Sequence, residues 1–463
     1  VRGSARSLHL EDPLFGALLF VVALAPRLVA ALAFVSEPVW DGHYYDYGAQ
    51  RIAMGAGYTE DRIVAGQVVW HATCHYPVGY SAFLAVFYRL FGASHEMAGV
   101  ANALVGAALA VVTWALARHA MSPWRARAAG VIVALHPGLV LYAATVMSEP
   151  LAALLTLVAF WLAVRDERPM RGVALGALVL GVAALVRPQA LLCAPFLALV
   201  LRPRPSWRRG LAFASVACAV ALVPVLPWTL RNCARMDGCA LVSTNGGWNL
   251  AIGAFPRATG RFETLRSSDG CRDVTGQVQQ DRCWLAYGVD QIRARPLRWL
   301  ALVPAKLGFT FDHESFAVEY LHQARPEAWP PARRAAVRDA TTLFHRLLLA
   351  AAALGCVAFP LMRTARGAAR QGALLVVAGA LAVAGFVADT PFLWPLAVFA
   401  AIVPWLPLRG APPRPPALLL PVALLATTVV THAVFFGEDR YHIVVTPVLA
   451  LLAAAALRPR AVC

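Results

Sequence analysis

Charge is scarce in this chain and lysine almost absent. Only 14% of the 463 residues are Asp, Glu, Lys or Arg, against about 25% in soluble domains, and Lys306 is the single lysine. With 59% hydrophobic residues and a mean hydropathy of +0.61, too little polar side chain is present to coat a globule. No P-loop, GxSxG, HExxH or CxxC motif occurs, which removes support for soluble ATPase, hydrolase and metalloprotease readings. No internal repeat of the kind that marks many transporters is found. The net charge of +16 does not point to nucleic acid, because the arginines are scattered between apolar stretches and form no patch.

What is present is a series of apolar runs. A bilayer-spanning helix needs about 20 such residues, and twelve candidates (11–13 allowing for boundary error) lie near 14–35, 96–117, 129–146, 148–164, 172–187, 188–201, 210–230, 342–362, 372–388, 391–407, 416–436 and 441–457. The first is too long for a signal-peptide core and is taken as retained. With both termini cytoplasmic, the short inside segments 118–128, 165–171, 202–209, 363–371 and 408–415, with the termini, carry 19 Arg against four acids. That is the positive-inside asymmetry. It requires that 78–92 and 296–311 do not cross, and each has a cation in mid-segment, Arg89 and Lys306, which suits a surface helix.

The expected fold is therefore an all-α polytopic membrane protein with outer-face juxtamembrane helices and a periplasmic loop region. Its expected organisation is an N-terminal transmembrane module, 1–230, containing a first periplasmic loop at 36–95; a large loop region, 231–341; and a C-terminal transmembrane module, 342–463. Cys233, Cys239, Cys271 and Cys283 form an even set suited to disulfides in an oxidising periplasm, in any of three pairings, and Cys74 is a further candidate.

Polar residues that topology does not explain gather at the outer face. Asp41 and Tyr45 stand at i and i+4 of a helical pattern, whereas Asp46 points about 140° away. Asp41 suits equally well a helix N-cap. His75 and Tyr76 lead into the first surface helix and suit an interfacial anchor or a substrate contact. Glu149 sits at the turn into the fourth span, where it suits capping. Arg187 and Arg440 occupy outer turns against the positive-inside trend, and with Lys306 they would make a cationic ring suited to phosphate; snorkelling is the plainer account. Asn245, Trp248 and Asn249 suit sugar recognition or an ordinary turn.

This ordered set resembles the GT-C polyprenyl-phosphate-sugar-dependent glycosyltransferases, in particular bacterial relatives of protein O-mannosyltransferases and of the lipid A aminoarabinose transferase. The resemblance rests on Asp41, Tyr45, Ala49, Gly55, Gly57 and Tyr58, on Tyr76 to Tyr80, Ser148 and Glu149, Arg187 and Pro188, Pro227 to Asn232, Ser243 to Gly253, and Arg440 and Tyr441. It departs from many relatives in having Asp41-Gly42 where they carry an acidic pair, and Tyr76-Pro77 where they carry Pro-Pro or Lys-Pro. What it implies is a sugar transferred, with inversion, from a polyprenyl-phosphate or diphosphate carrier to a glycan, lipid or protein acceptor. The active site would face the periplasm from the bacterial inner membrane. By the same resemblance Asp41 is the general base, and Glu149 holds the acceptor or a cation. Arg187, Lys306, Arg440 and His442 meet the leaving phosphate, with Tyr45, His75, Tyr76, Asn245, Trp248, Asn249 and Tyr441 around the substrate. No cofactor is demanded, though a divalent metal fits. The rival class is a lipid-linked sugar flippase or secondary transporter, for which ionisable residues at the midplane are expected; only Arg27 and His136 lie there.

Overall fold

The structure, a computed structural model, describes residues 11–201, 206–358, 393–405 and 414–457, with scattered positions between 373 and 387. Most of the ninth expected span, the end of the eighth, and the basic stretches 202–205, 363–371 and 408–413 lie outside the described residues. The described residues are 76% helical. Among the described residues five helices are long and apolar enough to cross a membrane, or seven if two bent pairs each count as one span. That gives a multi-pass helical protein, with fewer qualifying helices than the twelve runs expected.

The first helix, α1 (Glu11–Ala33), packs antiparallel to α4 (His95–Ala117), so that Asp12 meets Arg118 at one end. Arg125, in α5 (Pro123–Leu135), reaches the Ala455 carbonyl at that same end. The basic segments 118–125 and 165–171 and the polar site thus occupy opposite ends of the bundle. The third expected span is broken: α5 and α6 (Pro137–Leu141) meet at a 51° bend, because Pro137 cannot continue the hydrogen-bond ladder. Freed carbonyls inside an apolar bundle need donors. Arg27, fully buried in α1, supplies them at 2.6 Å to Ala134 O and 2.8 Å to Val133 O. The two midplane residues singled out in the sequence therefore belong to one helix break.

The segment after α1 departs from the all-α expectation. After α2 (Asp41–Ala53) the chain forms an antiparallel hairpin, β1 (Thr59–Val64) with β2 (Gln67–Ala72). Its turn places Ala65 at φ 52° and Gly66 at φ 79°, as a tight two-residue turn between right-twisted strands requires. Gln277 ties the hairpin base to the second outer segment, accepting from Cys74 N at 3.0 Å and donating to Glu60 at 3.0 Å. The disulfides are Cys233–Cys239 and Cys271–Cys283, and Cys74 is free and buried.

Of the two expected surface helices, the first is α3 (Val78–Phe91), whose Arg89 is exposed. The second requires correction. Its leading turn, Pro296–Ala301, has no buried residue, but Val303–Phe311 packs against the helix Pro416–Val434 and buries Lys306 completely. A buried ammonium needs acceptors, and the last carbonyls of a helix have no intrahelical partner. Lys306 Nζ donates to Val434 O at 3.0 Å and Ala433 O at 3.4 Å, with the Trp299 ring 5.0 Å away. It caps a helix end.

Candidate active site

The N-terminus of α2, the end of α8 (Pro169–Val186), the segment 241–249 and the segment 431–441 converge on one cavity of about 680 Å³. That size suits a ligand with an apolar body and a few polar groups. Ten of the thirteen residues expected from the sequence line it: Asp41, Tyr45, His75, Tyr76, Arg187, Asn245, Trp248, Asn249, Arg440 and Tyr441. Glu149, Lys306 and His442 do not.

Asp41 is the first residue of α2 but caps nothing: the N-cap is Trp40, whose backbone is at φ 51°, without a side-chain hydrogen bond. Its carboxylate turns to the cavity, where Oδ1 accepts from the Tyr76 hydroxyl at 2.9 Å and Oδ2 from Arg440 Nη1 at 2.5 Å. Burial pushes this carboxyl up, but the charge and hydrogen bond of Arg440, helped by Tyr76 and Arg187, outweigh it and hold Asp41 below the usual carboxylate value. It is a charged acceptor. Burial and then the charge of Asp41 push the phenols of Tyr45 and Tyr76 up, so both stay neutral. Asp46 faces away, bonded to Tyr88 and Gln50, as its helical angle requires.

Glu149 is fully buried at the start of α7 (Glu149–Arg165) and stands behind Arg187. Its Oε1 accepts from Arg187 Nη1 at 2.7 Å, and Ser148 Oγ accepts from the same nitrogen at 3.3 Å. It cannot touch an acceptor in the cavity; it orients the arginine. The Nε and Nη2 groups of Arg187 have no hydrogen-bond partner among the described residues and remain donors toward the cavity. Arg440 Nε lies 2.7 Å from Glu438 Oε2, and both guanidinium groups sit within 5.4 Å of the Tyr441 ring. Two guanidinium groups and the Asp41 carboxylate thus line this end of the cavity, with Glu149 and Glu438 behind them. With Lys306 and His442 elsewhere, the expected cationic ring reduces to a pair of arginines already held by acids.

The helix Gly246–Ala254 brings Asn245, Trp248 and Asn249 to one side through i, i+3, i+4 spacing. Asp281 fixes its start, accepting from Gly247 N at 2.8 Å and Trp248 N at 3.3 Å. Trp228 and Asn232, which carried part of the resemblance, lie behind this wall: Trp228 Nε1 donates to Val242 O at 2.8 Å and Asn232 Nδ2 to Ala240 O at 3.0 Å. Arg231 clamps the hairpin base through Tyr58 O and Thr73 O. The structure adds Tyr44, Gln189, Ser243, Arg272 and His432 to the cavity wall. His432 stacks on Tyr441 at 4.2 Å. Ser243 opens the run that carried the resemblance, whereas no motif in the sequence marks the other four.

The absence of a second acid after Asp41 has a steric cause. A Cβ on Gly42 would stand 2.3 Å from the Tyr320 hydroxyl and 3.0 Å from Val146 O. That hydroxyl is fixed, accepting from Val39 N at 3.2 Å and Val146 N at 3.4 Å. Gly42→Ala is expected to cost about 1–3 kcal/mol through overpacking, read as a lowered melting temperature in detergent. Unchanged melting would show that Tyr320 yields freely.

Residues 75–229 match the model of the dolichyl-phosphate-mannose-protein mannosyltransferase family. The resemblance read in the sequence is to this family. The mannosyltransferase-like segment includes His75, Tyr76, Glu149 and Arg187, while Asp41 and Arg440 lie outside it. No curated protein matches the sequence. Among solved structures, the chain is similar to the oligosaccharyltransferase AglB from Archaeoglobus fulgidus in complex with an inhibitory peptide and a dolichol-phosphate. Identity is 13% and the TM-score 0.43, over 97% of this chain and 50% of that one. It is also similar to ArnT from Cupriavidus metallidurans bound to undecaprenyl phosphate, with 18% identity and a TM-score of 0.36, over 95% of this chain and 77% of that one. This chain spans about half the length of the archaeal protein.

Proposed function

We propose that this protein is an integral membrane glycosyltransferase that moves a sugar from a polyprenyl-phosphate carrier to an acceptor at the non-cytoplasmic face of the membrane. The observation that carries this reading is a carboxylate and two arginines, Asp41, Arg187 and Arg440, set around one cavity at the end of the bundle opposite the basic segments 118–125 and 165–171. Leu192, Ile252 and Phe435 line part of that cavity and suit the first isoprene units of a carrier lying in the bilayer. In this mechanism Asp41 accepts the hydrogen bond of an acceptor hydroxyl. The hydroxyl oxygen attacks the anomeric carbon, the bond from that carbon to the phosphate oxygen breaks, and the electron pair leaves with the polyprenyl phosphate. The proton passes to Asp41 late, because a carboxylate held this acidic is a weak base. Arg187 and Arg440 meet the charge growing on the leaving phosphate, while Glu149 and Glu438 hold them in place. Direct displacement inverts the anomeric configuration.

The test offers purified protein in proteoliposomes a panel of radiolabelled polyprenyl-phosphate sugars with a membrane extract as acceptor. Label appearing on an acceptor supports the transferase. Lipid-linked sugar crossing the bilayer with no label on any acceptor would overturn it in favour of a flippase.

A further inference from the structure

A second polar cluster, none of whose residues lines the cavity, lies wholly buried. Glu314 follows the helix Val303–Phe311, His345 belongs to the helix Pro331–Ala358, His442 to the 3-10 turn Asp439–Val445, and His136 to the break between α5 and α6. Each is no more than 3% exposed. The substrate reading does not use them.

The hydrogen bonds fix the tautomers of the two histidines. His442 Nδ1 stands 2.8 Å from Thr310 O and His345 Nε2 stands 3.0 Å from Phe311 O. A carbonyl only accepts, so each of these nitrogens carries the proton. The lone pairs of His442 Nε2 and His345 Nδ1 are then the ones directed at Glu314 Oε2, at 3.1 and 3.8 Å. With both imidazoles neutral, three acceptors face one another; the 3.1 Å contact between His442 Nε2 and Glu314 Oε2 is a hydrogen bond only where His442 carries a second proton. His136 differs: its Nδ1 accepts from Leu139 N at 3.3 Å, leaving Nε2–H directed at Glu314 from 3.7 Å. At that distance it steadies the carboxylate electrostatically but makes no proper hydrogen bond. Glu314 Oε1, His345 Nδ1 and His136 Nε2 all lack hydrogen-bond partners among the described residues. Unpartnered polar atoms at this depth are costly.

A cation would give His345 Nδ1, His442 Nε2 and Glu314 Oε2 a common partner. One ligand atom from each of Glu314, His345 and His442 lies within 4.8 Å of the others, and the two histidine–carboxylate distances bracket the edge of about 3.4 Å expected between ligands of a tetrahedral zinc ion with bonds of about 2.1 Å. Zinc-bound histidines ordinarily donate their remote N–H to a carbonyl or carboxylate, which both do here. The backbone closes tightly over the carboxylate, since a Cβ at Gly138 would fall 1.3 Å from Glu314 Oε1. We propose that Glu314, His345 and His442 supply three ligands of a zinc(II) site, with water in the fourth position, that pins the Asp439–Val445 turn, and with it Arg440, to the bundle. Imidazole and carboxylate ligands suit zinc better than magnesium or calcium. This inference does not depend on the transferase reading.

The test is metal content of protein purified from zinc-supplemented cells and washed with chelator, compared with His442→Gln, His345→Gln and, as a control for adventitious binding, His71→Asn in the hairpin. About one zinc per chain is expected in wild type and the control and less than about a tenth in the two cluster variants. As a readout independent of how the variants fold, cobalt(II) is also added to metal-stripped wild type, where the visible absorption of four-coordinate cobalt should appear and be abolished by competing zinc. Added zinc should raise the melting temperature of the stripped wild type. Folded wild type that holds no zinc, gives no cobalt absorption and melts unchanged would overturn the site and leave a proton-shared network.

Discussion

Asp41→Asn is expected to lower sugar transfer by about a thousandfold, within the ~10²–10⁴ range of positioned acid–base groups, while leaving a folded protein. The amide keeps an oxygen for the Tyr76 hydroxyl and fills the same volume. What it loses is the charge that answers Arg440 and the ability to take a proton. The measurement is single-turnover transfer beside a melting curve, and retention of most of the rate would remove Asp41 from the chemistry. The pH dependence follows from the same pair. Because Arg440 holds the Asp41 carboxyl below its ordinary value, of about 3.9, the folded state binds this proton less readily than the unfolded chain. The pair's contribution to stability is present above about pH 4 and is lost as the pH falls through the lower folded-state value. Transfer should therefore show no acid limb from Asp41 between about pH 5 and 7. A fall in that interval would have to come from another group, or show that the carboxyl is more basic than its partners imply.

Arg187→Gln should do most harm to the fold. It leaves Glu149 buried without its counter-charge, where one carboxylate oxygen already lacks a partner, and breaking a buried pair costs about 3–5 kcal/mol. Loss of folded protein at ordinary growth temperature is the expected result. The double variant Arg187→Gln/Glu149→Gln separates the two roles of the arginine. Removing both charges should recover most of the melting temperature, whereas the donor's KM should stay raised by about tenfold or more, the loss of one charge-assisted bond. Full recovery of both would reduce Arg187 to a structural residue.

The patterns that could be read in the sequence were those set by one-dimensional spacing. The i, i+4 placement of Asp41 and Tyr45 brought both to the cavity. The reading went astray where the partner is distant in the chain. Lys306 looked like a surface cation because nothing near it in sequence accepts a proton, and its acceptors are the carbonyls of Ala433 and Val434. Glu149 looked like a site acid because its position is right, yet Arg187 stands between it and the cavity. His442 follows two cavity residues but turns inward, since each residue of this 3-10 turn is rotated about 120° from the last. The hairpin did have a local signal, in Ile63-Val64-Ala65-Gly66-Gln67-Val68-Val69. An Ala-Gly turn is weaker than Asn-Gly, and the exposed Ile63, Val69 and Trp70 obscure the alternation of a half-buried strand.

The bond from Arg27 to Ala134 also bears on how the chain is made. The arginine and its acceptor are 107 positions apart, so at about 5–20 residues per second the first helix waits roughly 5–20 seconds before the carbonyls it serves have been synthesised. Through that interval it holds a guanidinium at a depth where insertion costs about 2.5–3.5 kcal/mol. The leading helix thus enters the membrane at a disadvantage that only a later segment can relieve, and the order of synthesis becomes part of what the bundle's stability must compensate.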